Sequence, residues 1–250
     1  KENLNFIKKN LKKNINTNFF YKKNSPTIIK KRFVDNTSNS KVLGIYNLND
    51  DNLNETETRL LNNYLKKEIK KYDLVVVSDY GHGLISKSSA KIICKHSKFL
   101  ALNAQVNAFN IGYHTMKNYV NFNTLIINEK EIRHEMRDRI SKVEDLMISL
   151  SKDRNVENLI VTMGSEGSIL YNSNQKKFFS AEAYANKIID KTGAGDTMLT
   201  MVGLSLKVKL DSDLSLLMSS LCAAQSLESL ANKSTVNNIS MLKTLENIFK

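Results

Sequence analysis

The stretch DLVVVSD, residues 73–79, is an uninterrupted apolar run between polar ends. Such a run, without polar alternation, is typical of a β-strand that is buried on both faces, as in a parallel sheet. Three more segments of the same kind follow along the chain: FLALN (99–103), NTLIIN (123–128) and NLIVTMG (158–164). We therefore predict a parallel sheet whose strands lie between two covering layers.

Helical patterns lie between these strands. Asn54 stands before one of them as an N-cap residue, whose side-chain oxygen accepts hydrogen bonds from the free amides of a helix start, and Ser86 begins another. Helices are predicted over 2–13, 55–72, 86–96, 129–139 and 142–152, with three more segments from Ala194 onward that break near Asp211 and Asn232. Antiparallel pairs are predicted at 27–35 with 41–48 and at 167–172 with 176–181. Repeated alternation of strand and helix predicts a three-layer α/β/α fold with a mainly parallel central sheet.

The composition fits one domain over residues 1–250. Hydrophobic residues make up 41% of the chain and charged residues 25%, as in ordinary globular proteins. The formal net charge of +12 comes mostly from dispersed lysines without an arginine-rich stripe, so we expect no nucleic-acid partner. No apolar run reaches the roughly 18 residues of a membrane span, so we expect no membrane partner. Cys94 and Cys222 lack metal-ligand spacing, and we interpret them as reduced core residues of a cytoplasmic protein.

The segment DKTGAGD, residues 190–196, places two of the nine glycines one residue apart, directly before a helical pattern. Free amides at a helix start attract an anion, and glycines let the backbone approach it closely. Asp196 could then accept the proton of an attacking hydroxyl, as a base does in phosphoryl transfer. The plainer interpretation is a helix start in which Asp196 only stabilises the helix dipole.

Polar clusters follow four of the predicted strands, where ligands bind in open α/β sheets. They are SDYGHG (78–83), NAQVN (103–107), NEKE (128–131) and MGSEG (163–167). Two of them also have plain structural interpretations. Asn128 and Glu131 have the spacing of a capping box, and Gly164 and Gly167 could form only a hairpin turn.

Three of these motifs, taken in order and spacing, resemble the ribokinase-like (PfkB) sugar-kinase family. They are GAGD at 193–196, the N-x-x-E pattern of Asn128 and Glu131, and the T-x-G-x-x-G turn of Thr162, Gly164 and Gly167. The resemblance implies ATP as phosphoryl donor, Mg²⁺, and a sugar or sugar phosphate as acceptor. It implies Asp196 as catalytic base and Gly193, Ala194 and Gly195 as an anion hole.

The same resemblance assigns the nucleotide side of the site. Asn128 and Glu131 would bind the phosphates and Mg²⁺, the metal through water. The turn from Thr162 to Gly167 would contact ATP, and Asn232 would close over the adenine.

Within the family, VVVSDYGHGLIS and PTIIKKRFVD are most similar to kinases that phosphorylate C1 of a heptose 7-phosphate. The resemblance implies a small β-lid at 26–48 and a homodimer through its strands. Asp79, Lys30 and Arg32 would lie on the substrate side, the last two on the lid. His82 stands where that subgroup commonly has lysine, and the 103–110 segment replaces its D-P-K-G segment, so two cations are missing.

The resemblance covers about residues 20–250, and the family's first strand, its sugar-binding aspartate and its glycine-rich G-G-x-x-x-N segment have no match. We therefore expect a kinase domain that is incomplete at its N-terminus. Three alternatives stay open at this point: a kinase for another sugar, a catalytically silent module that binds nucleotide or a partner subunit, and a basic nucleic-acid binder.

Overall fold

Two sheets organise the chain. The structure is a computed structural model that describes residues 3–35, 37, 41–105, 116–185, 187–229 and 235–248. Its strands are β1 (Ile29–Val34), β2 (Lys41–Asn47), β3 (Val75–Asp79), β4 (Leu100–Ala104), β5 (Phe122–Asn128), β6 (Val156–Thr162), β7 (Ser168–Asn172) and β8 (Lys177–Ala181). Its helices are α1 (Leu4–Asn10), α2 (Glu55–Glu68), α3 (Lys87–His96), α4 (Glu129–Met136), α5 (Val143–Arg154), α6 (Ala194–Lys207), α7 (Ser212–Leu227) and α8 (Asn238–Ile248).

The larger sheet has six strands in the order β3-β4-β5-β6-β7-β8. Strands β3 to β6 are parallel and β7 and β8 close the sheet as antiparallel strands, so the prediction of a mainly parallel sheet is confirmed. Strands β1 and β2 form a separate antiparallel pair, as predicted. Four parallel strands bring their carboxyl ends to one edge, and that edge positions the candidate site.

Two apolar cores cover the faces of the six-stranded sheet, which gives the predicted three layers. On one face Ile93, Ile132 and Leu150, from α3, α4 and α5, pack with Leu102 and Ile127 of the sheet. On the other face α6 and α7 pack against the sheet, through a cluster that comprises Ala101, Ile126, Ile160, Leu170, Met198, Leu199, Val202 and Leu216. Within the part of the chain that the structure describes, no helix is both long and apolar enough to cross a membrane.

The strand at 73–79 differs from its prediction. We expected burial on both faces, but β3 is an edge strand whose only neighbour among the described residues is β4. Val76 is 39% exposed as a result, while Val77 is buried against the core of the opposite face. An apolar run identifies a strand of a covered sheet, but it does not tell an inner strand from an edge strand.

Local capping explains where the helices begin and end. Asn54 and Glu57 form a capping box at the start of α2, and the Ser86 side chain accepts a hydrogen bond from the Ser89 amide at the start of α3. Helix α4 ends three residues before the predicted position, because Arg137 adopts the left-handed conformation with φ of 53°.

The two glycines in the turn between β6 and β7 differ in how much space surrounds them. Gly167 has φ of 87° and ψ of −138°, and a Cβ there would lie 2.1 Å from the Ala181 carbonyl oxygen. Gly164 also has a positive φ, of 65°, but a Cβ there would meet nothing within 4 Å. We expect Gly167→Ala to lower the free energy of unfolding by more than about 3 kcal/mol, and Gly164→Ala by about 1–2 kcal/mol. Urea unfolding of both variants measures the difference, and equal losses would contradict the predicted clash.

Candidate active site

The start of α6 forms one side of the candidate site. Gly193 precedes the helix in the left-handed conformation with φ of 88°, which glycine adopts without steric cost, and no side chain caps the helix start. Gly195 faces open space, since a Cβ there would meet nothing within 4 Å. Met198 and Leu199, one turn further on, are buried against the sheet and fix the direction of the helix. The first amides of α6 are therefore available to an anion.

The end of β3 forms the opposite side. The Ser78 hydroxyl donates to Asp196 Oδ1 at 2.8 Å, and the Tyr80 hydroxyl donates to Asp196 Oδ2 at 2.9 Å. Burial raises the pKa of the Tyr80 phenol, and the Asp196 carboxylate raises it further, so the phenol keeps its proton and acts as the donor. Both oxygens of the predicted base are thus held by hydroxyls from β3, two contacts that we did not predict from the sequence.

Asp79 lies away from this site. Its side chain is only 6% exposed, one oxygen accepts a hydrogen bond from the Tyr119 hydroxyl at 2.7 Å, and the other accepts one from the Gly81 amide at 3.0 Å. Asp79 shares its strand face with Val77, whereas Ser78 and Tyr80 point to Asp196. The carboxyl group of Asp79 is thus buried and hydrogen-bonded by the protein, and its role on the substrate side stays a prediction.

Asn128 and Glu131 form the capping box that their spacing allows. The Asn128 side chain accepts from the Glu131 amide at 2.9 Å, and a Glu131 carboxyl oxygen accepts from the Asn128 amide at 3.0 Å. Thr162 pairs with Asn128 in the register of β5 and β6, so the structure brings the three residues that we predicted for the nucleotide side to one edge. The turn after Thr162 continues through Gly164, which faces open space, and Gly167, which lies against the end of β8 at Ala181 and Glu182.

The two-stranded sheet of β1 and β2 presents Lys30 toward Tyr80. Lys30 Nζ lies 5.5 Å from the centre of the Tyr80 ring and 6.0 Å from the centre of the Tyr46 ring. Lys30 pairs with Tyr46 and Arg32 with Gly44, so both predicted cations occupy the same face of this sheet. A cation above an aromatic face is attracted by the ring's quadrupole.

His82 is held by an acidic side chain. His82 Nδ1 lies 2.7 Å from Asp50 Oδ1, and the imidazole is buried where the β2–α2 connection meets the β3–α3 loop. Asn232 and residues 106–110 of the polar 103–110 segment lie outside the described residues. Asn103 is described, and its side-chain amide donates to the Ile126 carbonyl at 2.9 Å, which joins β4 to β5.

The sheet, its polar carboxyl edge and the helix start at that edge together define a ribokinase-like α/β protein of the carbohydrate-kinase class. Residues 3–236 match the protein family that is described as pfkB family carbohydrate kinase. The chain belongs to the pfkB family of carbohydrate kinases.

Solved structures with the same fold are similar over most of the chain. The ribokinase of Arabidopsis thaliana, complexed with ribose and ATP, has a TM-score of 0.65 at 18% identity, and covers 89% of this chain and 70% of its own. Phosphofructokinase-2 of Escherichia coli, in complex with potassium, has a TM-score of 0.68 at 13% identity, and covers 85% of this chain and 68% of its own. At these identities the likeness establishes the fold.

Curated relatives are more similar in sequence but much longer. Bifunctional protein HldE of Desulfatibacillum aliphaticivorans is 26% identical over 173 residues, or 68% of this chain and 34% of the relative. Bifunctional protein HldE of Campylobacter curvus is 31% identical over 161 residues, or 63% of this chain and 33% of the relative. The chain spans about a third of the length of these curated relatives.

The buried Asp79–Tyr119 pair supports β3 and can be tested by its stability effect. Burial raises the pKa of the Tyr119 phenol, so the phenol remains a hydrogen-bond donor. We expect Tyr119→Phe to lower the free energy of unfolding by about 1–3 kcal/mol, because it removes a donor from a buried carboxyl group. Tyr72→Phe, at an exposed tyrosine, is the control and should change it by less than about 0.5 kcal/mol. Urea unfolding measures both, and a Tyr119→Phe protein as stable as the control variant would contradict the supporting role.

Proposed function

We propose that these residues carry the phosphoryl-transfer site of an ATP-dependent sugar kinase, with Asp196 as the base. One observation carries the proposal: Asp196 stands at an uncapped helix start, and its carboxylate is oriented by two hydroxyls from the neighbouring strand end. A structural helix-start aspartate needs no such contacts, since its charge alone stabilises the dipole.

The proposed chemistry follows from this placement. The acceptor sugar's hydroxyl oxygen attacks the γ-phosphorus of ATP, and its proton passes to the Asp196 carboxylate. The bond between the γ-phosphorus and the bridging oxygen breaks, and ADP leaves with the electron pair. The amides at Gly193, Ala194 and Gly195 face the charge on the transferred group and stabilise it there.

We propose that Asn128, Glu131 and the Thr162–Gly167 turn take the nucleotide side. Asn128 and Glu131 supply oxygen atoms only, the ligand type that Mg²⁺ prefers, and Mg²⁺ usually keeps several waters beside one or two protein carboxylates. The capping box holds the Asn128 side-chain oxygen and the Glu131 carboxyl group at fixed positions on this edge. The donor set therefore fits a water-mediated Mg²⁺, which would neutralise phosphate charge.

For the acceptor, we propose a sugar phosphate, with heptose 7-phosphate at C1 as the first candidate. Lys30 and Arg32 share the face of the two-stranded sheet that meets Tyr80, and cations there suit a phosphate group on the sugar. The SDYGHG segment supports the heptose candidate through its resemblance to heptose 7-phosphate kinases. His82 is engaged with Asp50 and is not part of the proposed phosphate contact.

The base is tested by Asp196→Asn in the protein as isolated from its own cells. We expect phosphate transfer from ATP to fall by roughly 10²–10⁴-fold, because the amide does not accept the hydroxyl's proton. The assay follows radiolabelled γ-phosphate into a panel of heptose 7-phosphate, ribose and fructose 6-phosphate. Asp213→Asn is the matched control, since Asp213 also lies in the first turn of a helix, α7, and its loss should leave transfer unchanged.

The outcomes separate the alternatives. Normal phosphate transfer by the Asp196→Asn variant would show that Asp196 is not the base. ATP binding by the unaltered protein without transfer to any sugar would favour the silent nucleotide-binding module. Nucleic-acid affinity that falls steeply with salt, without nucleotide binding, would favour the nucleic-acid binder.

We also propose that the outer face of the two-stranded sheet pairs with a second copy of the chain. Phe33 pairs with Leu43 and Lys31 with Ile45, on the face opposite Lys30 and Arg32. The three apolar side chains of this face, Phe33, Leu43 and Ile45, are about half exposed, at 51%, 52% and 49%. A two-stranded sheet with an uncovered apolar face is marginally stable alone, and burial of that face against its copy would stabilise it.

Sedimentation of charge-introducing variants tests this pairing. We expect Leu43→Lys to give a monomer where the unaltered protein is a dimer, because a buried lysine at the pairing face would be desolvated. Leu242→Lys on α8, at a leucine that is 60% exposed, is the control and should leave the dimer intact. A monomeric unaltered protein, or a dimeric Leu43→Lys variant, would contradict the pairing.

A further inference from the structure

Two hydroxyls, from Ser78 of β3 and from Tyr80 directly after it, hold the two oxygens of a single carboxylate. Ser78 Oγ lies 2.8 Å from Asp196 Oδ1 and Tyr80 Oη lies 2.9 Å from Asp196 Oδ2, although the residues are 118 and 116 positions apart in the chain. A carboxylate offers about four acceptor positions, so one hydroxyl on each oxygen leaves each oxygen able to accept another hydrogen bond. The two contacts fix the direction of the carboxylate without removing its capacity to take a proton.

The two hydrogen bonds also fix one of the side-chain orientations that an aspartate can adopt at a helix start. Aspartate side chains near a helix start readily turn back to hydrogen-bond the backbone amides of their own helix. At Asp196 both oxygens are turned away from α6 and toward β3. That orientation leaves the first amides of α6 to an anion, and it points the carboxylate across the gap between the helix and the strand end.

Tyr80 connects this carboxylate to the two-stranded sheet. Its hydroxyl contacts Asp196, while its ring lies below the Lys30 ammonium at 5.5 Å. Lys30 also approaches the Tyr46 ring, so the ammonium lies between a residue of β2 and a residue of the β3 end. A movement of the two-stranded sheet relative to β3 would change the Lys30–Tyr80 contact. It would thereby change the position of the Tyr80 ring, whose hydroxyl donates to one oxygen of Asp196.

We propose that Ser78 and Tyr80 are positioning residues for Asp196, and that Lys30 couples the placement of the two-stranded sheet to that carboxylate through the Tyr80 ring. The inference rests on the proposed function of Asp196 as the base. Ser78 anchors the carboxylate to the sheet, and Tyr80 sets its final direction when Lys30 is in place. The base is then fully oriented only when the two-stranded sheet lies over the site.

Kinetics of the native protein and its variants test the positioning role. We expect Ser78→Ala and Tyr80→Phe each to lower kcat about tenfold or more, with the KM for the sugar changed less than about twofold, because misplacement of the base affects the transition state and not the bound sugar. Ser78→Thr keeps the hydroxyl and should restore most of the kcat. Equal kcat in Tyr80→Phe and the unaltered protein, or equal losses in Ser78→Thr and Ser78→Ala, would overturn the role.

A double-mutant cycle tests the coupling through Lys30. Lys30→Gln should lower kcat in the unaltered protein but add no further loss in a Tyr80→Leu background, where the ring is absent. Lys177→Gln is the control, since Lys177 is an exposed lysine at the start of β8, and its loss should leave kcat unchanged. The same loss from Lys30→Gln in both backgrounds would show that Lys30 acts on the substrate alone and would overturn the coupling.

A titration that needs no turnover separates this inference from the proposed function. With ¹³C-labelled tyrosine rings, the Tyr80 signal is identified by its absence in Tyr80→Phe. Asp196→Asn should lower the pKa of the Tyr80 phenol, because the carboxylate that opposes its ionisation is removed. An unchanged pKa would overturn the contact even in an active kinase. A lowered pKa in a protein that phosphorylates no sugar would leave the contact standing and would overturn both the proposed function and the positioning role.

Discussion

The close approach of α6 to β4 places the candidate site. A Cβ on Gly203 would lie 2.8 Å from the Ala101 Cβ, so the helix lies nearer to the sheet than a larger side chain at this position would allow. Val202 and Leu199 are buried beside it, which fixes the rotation of the helix as well as its distance. Because the helix is held along its length, its uncapped start is brought to the carboxyl edge of the parallel strands. Asp196 can then reach hydroxyls of β3 that are more than a hundred residues earlier in the chain.

Alternation along β3 sorts structural residues from candidate functional ones. Val77 and Asp79 point into the core on the α3 side, and Asp79 is held there by Tyr119. Leu74 belongs to the core on the α6 side, and Ser78, four residues on and on the same face, meets Asp196. Alternation in DLVVVSD places Ser78 and Asp79 on opposite faces, but an uninterrupted apolar run does not indicate which face meets α6. The contacts of Ser78 and Tyr80 with Asp196 therefore could not be predicted from this stretch.

Other parts of the site were accessible from the sequence because their causes are local. The capping box of Asn128 and Glu131 depends on a three-residue spacing, and the positive φ values of Gly164 and Gly167 follow from a tight turn between two strands. The position of β3 at the sheet edge and the approach of Lys30 to Tyr80 depend on contacts between distant segments. No local pattern contains them. The same limit applies to His82, whose partner Asp50 lies 32 residues earlier in the chain.

Several residues of the site combine a structural and a proposed chemical role, and the physical reason is shared. An uncapped helix start needs hydrogen-bond acceptors for its free amides, and a carboxylate needs hydrogen-bond donors when it leaves water. An anionic substrate needs such donors as well. At α4 the capping box of Asn128 and Glu131 satisfies the helix start. At α6 no side chain caps the helix, and the carboxylate of Asp196 is turned to β3 instead. One helix start at the edge is therefore capped by side chains of the protein and the other is not, and the proposed phosphate site at α6 rests on this difference.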